Sequence, residues 1–89
     1  MVTYDEAKRT INLKRHGIDL ADCVRIFDAP MLTDEDTRLA YGEVRFDSLG
    51  WLDGCVVRLI WTERESAPRL ISCRKGEKHD IARYFKAFF

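Results

Sequence analysis

The stretch Cys55-Val-Val-Arg-Leu-Ile-Trp-Thr-Glu-Arg64, Glu65-Ser-Ala-Pro68, Arg69-Leu-Ile-Ser-Cys-Arg-Lys75 decides the fold. Residues 55–64 are rich in β-branched and aromatic side chains and read as a strand. Glu65 to Pro68 reads as a turn, and residues 69–75 as a second strand. Face chemistry predicts the register. Pairing Trp61 with Ile71 and Leu59 with Cys73 gathers them, with Val57, on one apolar face. The same register sets Glu63 opposite Arg69, an opposite-charge pair, and leaves a three-residue loop. The other face then carries Arg58, Ile60, Thr62 and Arg64 facing Leu70, Ser72 and Arg74, with Arg45 joining from a neighbouring strand. Several arginines with hydroxyls between them make a surface suited to anions, because guanidinium groups bind phosphate as bidentate forks.

Upstream, Gly50-Trp51-Leu52-Asp53-Gly54 reads as a turn by its flanking glycines, and Val44, Phe46 and Ser48 alternate as a strand. Met31 to Thr33 is a short strand or irregular, and the acidic run Thr33 to Arg38 reads as solvated. Residues 5–15 form a helix capped by Asp5, with Lys14, Arg15 and His16 in its last turn and Gly17 ending it. Asp19 caps a second helix over 20–28, with Leu20, Cys23, Val24 and Phe27 at helical spacing and Pro30 stopping it. Downstream, Ile81, Tyr84, Phe85 and Phe88 mark a C-terminal helix from Glu77 to Phe89. The expectation is a single α+β domain over residues 1–89. It is an antiparallel β-meander with an N-terminal helix pair and a C-terminal helix, the helices covering one face.

Length and composition bound the function. The chain has 89 residues, room for one domain. No apolar run approaches the roughly 18–20 residues of a membrane span, and the N-terminus lacks the basic start and apolar stretch of a secretory signal. Three cysteines, Cys23, Cys55 and Cys73, stand at wide spacing with no Cys-x-x-Cys pair. That argues for reduced thiols in the cytoplasm, and against a disulfide scaffold or a structural metal. No cofactor is expected. The 15 basic and 15 acidic residues cancel, yet they are segregated. Residues 34–53 hold six acidic and two basic groups, and residues 69–89 hold two acidic and six basic. Such a chain can turn different faces to different partners.

A family pattern runs through these segments. Tyr4-Asp5-x-x-Lys8 and Asn12-x-x-x-His16-Gly17-Ile18 come first. Tyr41-Gly42-Glu43-x-Arg45, Thr62-x-Arg64 and Arg69-x-Ile71-Ser72-x-Arg74-Lys75 follow in this order. The chain resembles the BrnT family of toxins from type II toxin–antitoxin modules over roughly residues 3 to 84. It departs from the family's usual residues at Leu20, Gly76 and Asp80. The resemblance implies a RelE-like fold and a ribonuclease that arrests growth by cutting RNA. It implies a cognate ribbon-helix-helix antitoxin in a 2:2 complex, which represses its own promoter by binding operator DNA through the antitoxin.

RNA cleavage by internal transfer needs a base for the 2′-hydroxyl proton, cations for the crowded phosphorane, and an acid for the 5′-oxygen. It needs no metal, since the RNA supplies the nucleophile. Arg64 and Arg74 share a face in the predicted register, match the family's strand motifs and are the expected phosphate ligands. His16 is the acid–base candidate by its ordinary pKa near ~6.5, and Glu63 is the other candidate base. Lys8, Asn12, Arg45, Arg58, Thr62, Ser72 and Lys75 are the expected RNA-binding residues. Lys8 and Asn12 lie one helical turn apart and either frame the active face or brace the helix. Tyr84 is expected to pack through its ring. The alternative is a binding module without activity that serves as corepressor with its antitoxin. Growth arrest on expression separates the two.

Overall fold

The computed structural model describes all of residues 1–89. In chain order its elements are β1 (Thr3–Tyr4), α1 (Glu6–His16), a 3₁₀ helix (Leu20–Asp28), β2 (Leu32–Glu35), β3 (Phe46–Leu52), β4 (Cys55–Arg64), β5 (Ala67–Lys75) and α2 (Lys78–Phe88). The strands form one sheet in the order β1-β5-β4-β3-β2. The class is α+β, as expected, but the sheet exceeds the predicted meander at both edges. β2 extends it beyond β3, and the two-residue β1 lies parallel to β5, Thr3 beside Arg69 and Tyr4 beside Leu70. No helix is long and apolar enough to cross a membrane.

The central hairpin forms with a different register. Leu59 pairs with Cys73 as predicted, and Ile60 with Ser72. A bulge follows, so that Trp61 meets Leu70, Thr62 meets Arg69, Glu63 meets Pro68 and Arg64 meets Ala67. The predicted Trp61–Ile71 and Glu63–Arg69 pairs therefore do not form. The cause is the core. Leu70 and Cys73 are both buried, at 1% and 0% exposure. Three residues apart, they would face opposite sides of a regular strand. One extra residue, Ile71, lets both point inward. The slip also tightens the turn to Glu65 and Ser66, both at positive φ, 51° and 67°, the backbone of a two-residue hairpin.

The helices do not all cover one face. Ile18, the 3₁₀ residues Leu20, Cys23 and Ile26, and Val57, Leu59, Trp61, Leu70 and Cys73 build the main core on one side. On the other, Tyr84 of α2 packs against Leu49 and Val56. Val56 and Val57 are consecutive and both buried, so β4 needs cover on both faces. Tyr84 packs through its ring as predicted, and its hydroxyl donates to the Pro30 carbonyl at 2.9 Å. The 20–28 segment is 3₁₀ rather than α-helical because its fully buried residues, Leu20, Cys23 and Ile26, recur every third position. That is the 3₁₀ repeat, in which i and i+3 eclipse. Val24, assigned inward by an α-helical count, is 38% exposed. Cys23 and Cys73 are buried free thiols, and the neighbouring Cys23 thiol together with burial pushes the Cys73 thiol far above its ordinary range.

Local signals decide the ends. Asp5 accepts from the Ala7 and Lys8 amides and starts α1, while Gly17 at φ 70° ends it by donating to the Leu13 carbonyl. Trp51 is not in a turn. β3 runs through it, and the chain reverses at Asp53 and Gly54, both at positive φ. The stretch 33–38, expected to be solvated throughout, begins in β2 and ends with the carboxylate of Asp36 buried.

Candidate nucleic-acid interface

Most of the arginines on the sheet are already matched by carboxylates. Arg58 and Arg74 stand directly across the β4–β5 ladder, where like charges would repel. Asp47 takes up Arg58, while Glu77 and Asp80 take up Arg74. Asp80 is 1% exposed; burial pushes its pKa up, but the Glu77 amide and the nearby Arg74 hold the carboxyl below its ordinary range. Arg74 thereby ties the end of β5 to the start of α2. Lys75 lies beyond it, in a hollow with Gly17, Leu52 and Cys55. Arg64 shares the face of Arg58 and Arg74 but stands six residues further along β4. At about 3.3 Å per residue that is about 20 Å, too far for Arg64 and Arg74 to hold one phosphate. Glu63 alternates onto the opposite face from Arg64, across from Pro68, and is exposed. The expected base is thus not beside the expected phosphate ligand.

The carboxylate that does meet Arg64 is Glu43. Its oxygens accept from Arg64 Nη2 at 2.9 Å and Arg45 Nε at 3.3 Å. The Arg64 hydrogen bond holds its carboxyl below the ordinary range, so it is ionised at neutral pH. The Arg45 guanidinium lies 4.1 Å over the Tyr41 ring. Tyr41 donates to Asp36 at 3.0 Å, and Arg38 grips the same carboxylate with Nε and Nη2, both at 2.8 Å. Residues 36–45 therefore fold around one buried charge and present Glu43 and Arg45 to the end of β4. Thr62, expected to bind RNA, is 2% exposed and donates its hydroxyl to the Val44 carbonyl at 2.6 Å, pinning the same loop.

Asp36 sets an acid limit on this loop. The Arg38 hydrogen bonds hold its carboxyl well below the ordinary carboxylate range. A depressed native pKa means that this stabilisation is complete above the unfolded value near ~3.9 and is lost as the pH falls. Asp36→Asn is expected to cost about 1–2 kcal/mol at pH 7. Its gap from the parent should narrow steadily below about pH 4, as urea unfolding at a series of pH values would measure; a gap independent of pH would exclude Asp36 as the cause.

A hollow of about 230 Å³ lies between α1 and β5. Lys8, Ile11, Asn12, Arg15 and His16 line one wall, the successive turns of a single α1 stripe, with Ile71 and Ser72 opposite. Lys8 and Ile71 also line the hollow that holds Glu43, Arg45, Arg64 and Arg69, so the two are one cleft along the β5 edge. Lys8, Arg15 and Arg69 form no ion pair. The cleft thus sets five cations, Lys8, Arg15, Arg45, Arg64 and Arg69, against two carboxylates, Asp5 and Glu43. Asn12 sits beneath the stripe at 3% exposure. Its amide donates to the Ile18 and Cys73 carbonyls and accepts from the Cys73 amide, each at 2.9 Å. With those atoms spent, Asn12 braces α1 against β5 and does not reach a ligand.

Of the residues singled out in the sequence, the cleft brings together Lys8, His16, Arg45, Arg64 and Ser72. Arg58, Glu63, Arg74 and Lys75 lie outside it, and Asn12 and Thr62 are buried under it. Sequence reasoning missed Glu43, Arg15 and Arg69 as cleft residues. The signals were present: Glu43 stands in Tyr41-Gly42-Glu43-x-Arg45, and Arg15 is seven residues from Lys8, two helical turns. The arrangement can hold a run of phosphates and places a carboxylate among cations at one end.

No curated protein matches the chain. A family model described as the ribonuclease toxin, BrnT, of type II toxin-antitoxin systems matches residues 4–80. That span contains β2 to β5, α1, the 3₁₀ helix and every residue of the cleft, and the chain therefore belongs to the BrnT family of ribonuclease toxins.

Proposed function

We propose that the chain is a metal-independent endoribonuclease that binds RNA along the α1–β5 cleft and cuts it at the Arg64 end. The observation that carries this reading is the unpaired set Lys8, Arg15 and Arg69, continuous with Arg64, on a protein whose other sheet arginines are matched by carboxylates. In this mechanism a phosphate displaces Glu43 from Arg64. The freed carboxylate loses the hydrogen bond that depressed its pKa and becomes a better base for the 2′-hydroxyl. The 2′-oxygen attacks phosphorus, and the bond to the 5′-oxygen breaks. A 2′,3′-cyclic phosphate and a 5′-hydroxyl result. Arg64 and Arg69 stabilise the phosphorane, and the Lys8 ammonium supplies the proton to the leaving oxygen. His16 is eight residues from Lys8, about 12 Å along the helix. It serves an adjoining phosphate with Arg15 and Ser72 rather than the one being cut.

The finer features follow the same reading: a RelE-like arrangement, growth inhibition through RNA loss in the cytoplasm, and a ribbon-helix-helix antitoxin in a 2:2 complex that represses the operator. Occupation of Arg64 by Glu43 also favours a second reading, a corepressor with little activity. Purified antitoxin-free protein incubated with RNA in chelator tests the proposal. Cleavage at an undiminished rate, leaving cyclic phosphate ends, is expected. Cleavage abolished by chelator and restored by a divalent cation would overturn metal independence. No cleavage there or in a translating extract, with no growth arrest, would establish the corepressor reading.

A further inference from the structure

Six of the exposed large apolar residues, Met1, Ile11, Leu13, Val24, Leu39 and Val44, lie outside the stripe described next, but the four aromatic and aliphatic residues Trp51, Ile81, Phe85 and Phe89 stand together. Ile81, Phe85 and Phe89 recur every four residues and form one stripe on α2, ending at its cap. Trp51 of β3 stands beside it, its ring 6.0 Å from that of Phe85, which is 5.4 Å from that of Phe89. Exposures run from 37% at Trp51 to 87% at Phe89. Two hollows flank Phe85. One, about 250 Å³, is walled by Trp51, Val56 and Ile81 and rimmed by Lys75; the other, about 190 Å³, by Ala29, Pro30 and Tyr84. Single exposed apolar residues are ordinary, but a contiguous row with hollows between them marks an interaction surface.

The charges around the stripe narrow its occupant. The carboxylates of Glu77 and Asp80 are taken by Arg74, and Arg83 is taken by Asp34. Lys75, Lys78 and Lys86 form no ion pair, so an excess of positive charge borders the apolar row. The walls of the hollows are aromatic and aliphatic. They offer rings and methyl groups to side chains and no array of donors to base edges, which favours a protein over RNA. The family match ends at Asp80, one residue before the stripe begins. Trp51, Val56, Lys75, Ala29 and Pro30 lie inside the match, so the surface joins a shared floor to a helical stripe outside it, and the stripe suits discrimination between one partner and its homologues.

We propose that this stripe is the docking site of the antitoxin. The antitoxin would lay an amphipathic acidic helix along α2, with large apolar side chains in the two hollows and carboxylates over Lys75 and Lys78. The inference rests on the reading of the chain as a toxin, and it places the antitoxin on a different part of the surface from the RNA cleft.

The test uses the full chain and the antitoxin expressed from the same operon, titrated by calorimetry. Phe85→Ala is expected to weaken binding at least thirtyfold, and Lys78→Glu several-fold, with a shallower salt dependence. RNA cleavage by each free variant should stay within twofold of the parent while neutralisation by antitoxin fails. Wild-type affinity in Phe85→Ala and Lys78→Glu would overturn the inference. So would dimerisation of the free chain that Phe85→Ala abolishes, or loss of RNA binding in that variant. A chain that cuts no RNA but loses antitoxin through Phe85→Ala would sustain the docking site and overturn the nuclease reading alone.

Discussion

Arg64→Ala is expected to lower the rate of RNA cleavage about a hundredfold, the usual loss when one preorganised contact to a transition-state oxyanion is removed. The substitution should not unfold the protein. Arg64 ends β4, its side chain is 52% exposed, and its partner is Glu43, a half-buried carboxylate on a loop. Arg74→Ala provides the comparison. Its guanidinium is engaged by Glu77 and Asp80 about 20 Å away along the sheet, so its loss should loosen the start of α2 and leave cleavage within a few-fold. Single-turnover cleavage of one defined RNA, with circular dichroism matched between variants, reads both effects. Equal losses for the two variants, or a loss confined to Arg74→Ala, would move the reacting phosphate to the other end of the sheet.

Asn12→Ala is expected to cost about 3 kcal/mol of stability. The substitution leaves the Ile18 carbonyl and both polar groups of Cys73 without the partners Asn12 provides, in a region where water cannot replace them fully. A domain of this size has on the order of 5–10 kcal/mol in total, so the loss should lower the melting temperature by roughly 10–20 °C. Urea unfolding gives the free energy directly. The slope against salt of RNA binding should stay that of the parent wherever the variant is folded, because Asn12 touches no phosphate. A stable variant with weakened RNA binding would return Asn12 to the list of contacts.

The candidate site was legible in part. Of the eleven residues singled out from the sequence, Lys8, His16, Arg45, Arg64 and Ser72 line one cleft. Arg74 was misplaced because two arginines on one face of a sheet were taken as neighbours. Sharing a face fixes direction, while distance depends on position along the strand. Glu63 illustrates the converse: adjacent to Arg64 in sequence, it points to the other side of the sheet. Glu43 was the carboxylate within reach, 21 residues away in the chain and brought back by a loop folded around Asp36.

Features that depend on near neighbours in the chain were legible before any packing was known. Asp5 and Gly17 bound α1, Pro30 lies just beyond the 3₁₀ helix, and the β-branched and aromatic run at Cys55–Arg64 makes a strand. Each of these follows from backbone conformations and hydrogen bonds within a few residues. Packing across the whole chain settled the bulge at Ile71, the parallel seat of Thr3 and Tyr4 on β5, and the placing of α2 on the face opposite the 3₁₀ helix. It also decided which carboxylate quenches which arginine. These outcomes turn on burying Leu70 with Cys73 and Val56 with Val57 at once, a requirement of the packed core that no local window of the chain expresses.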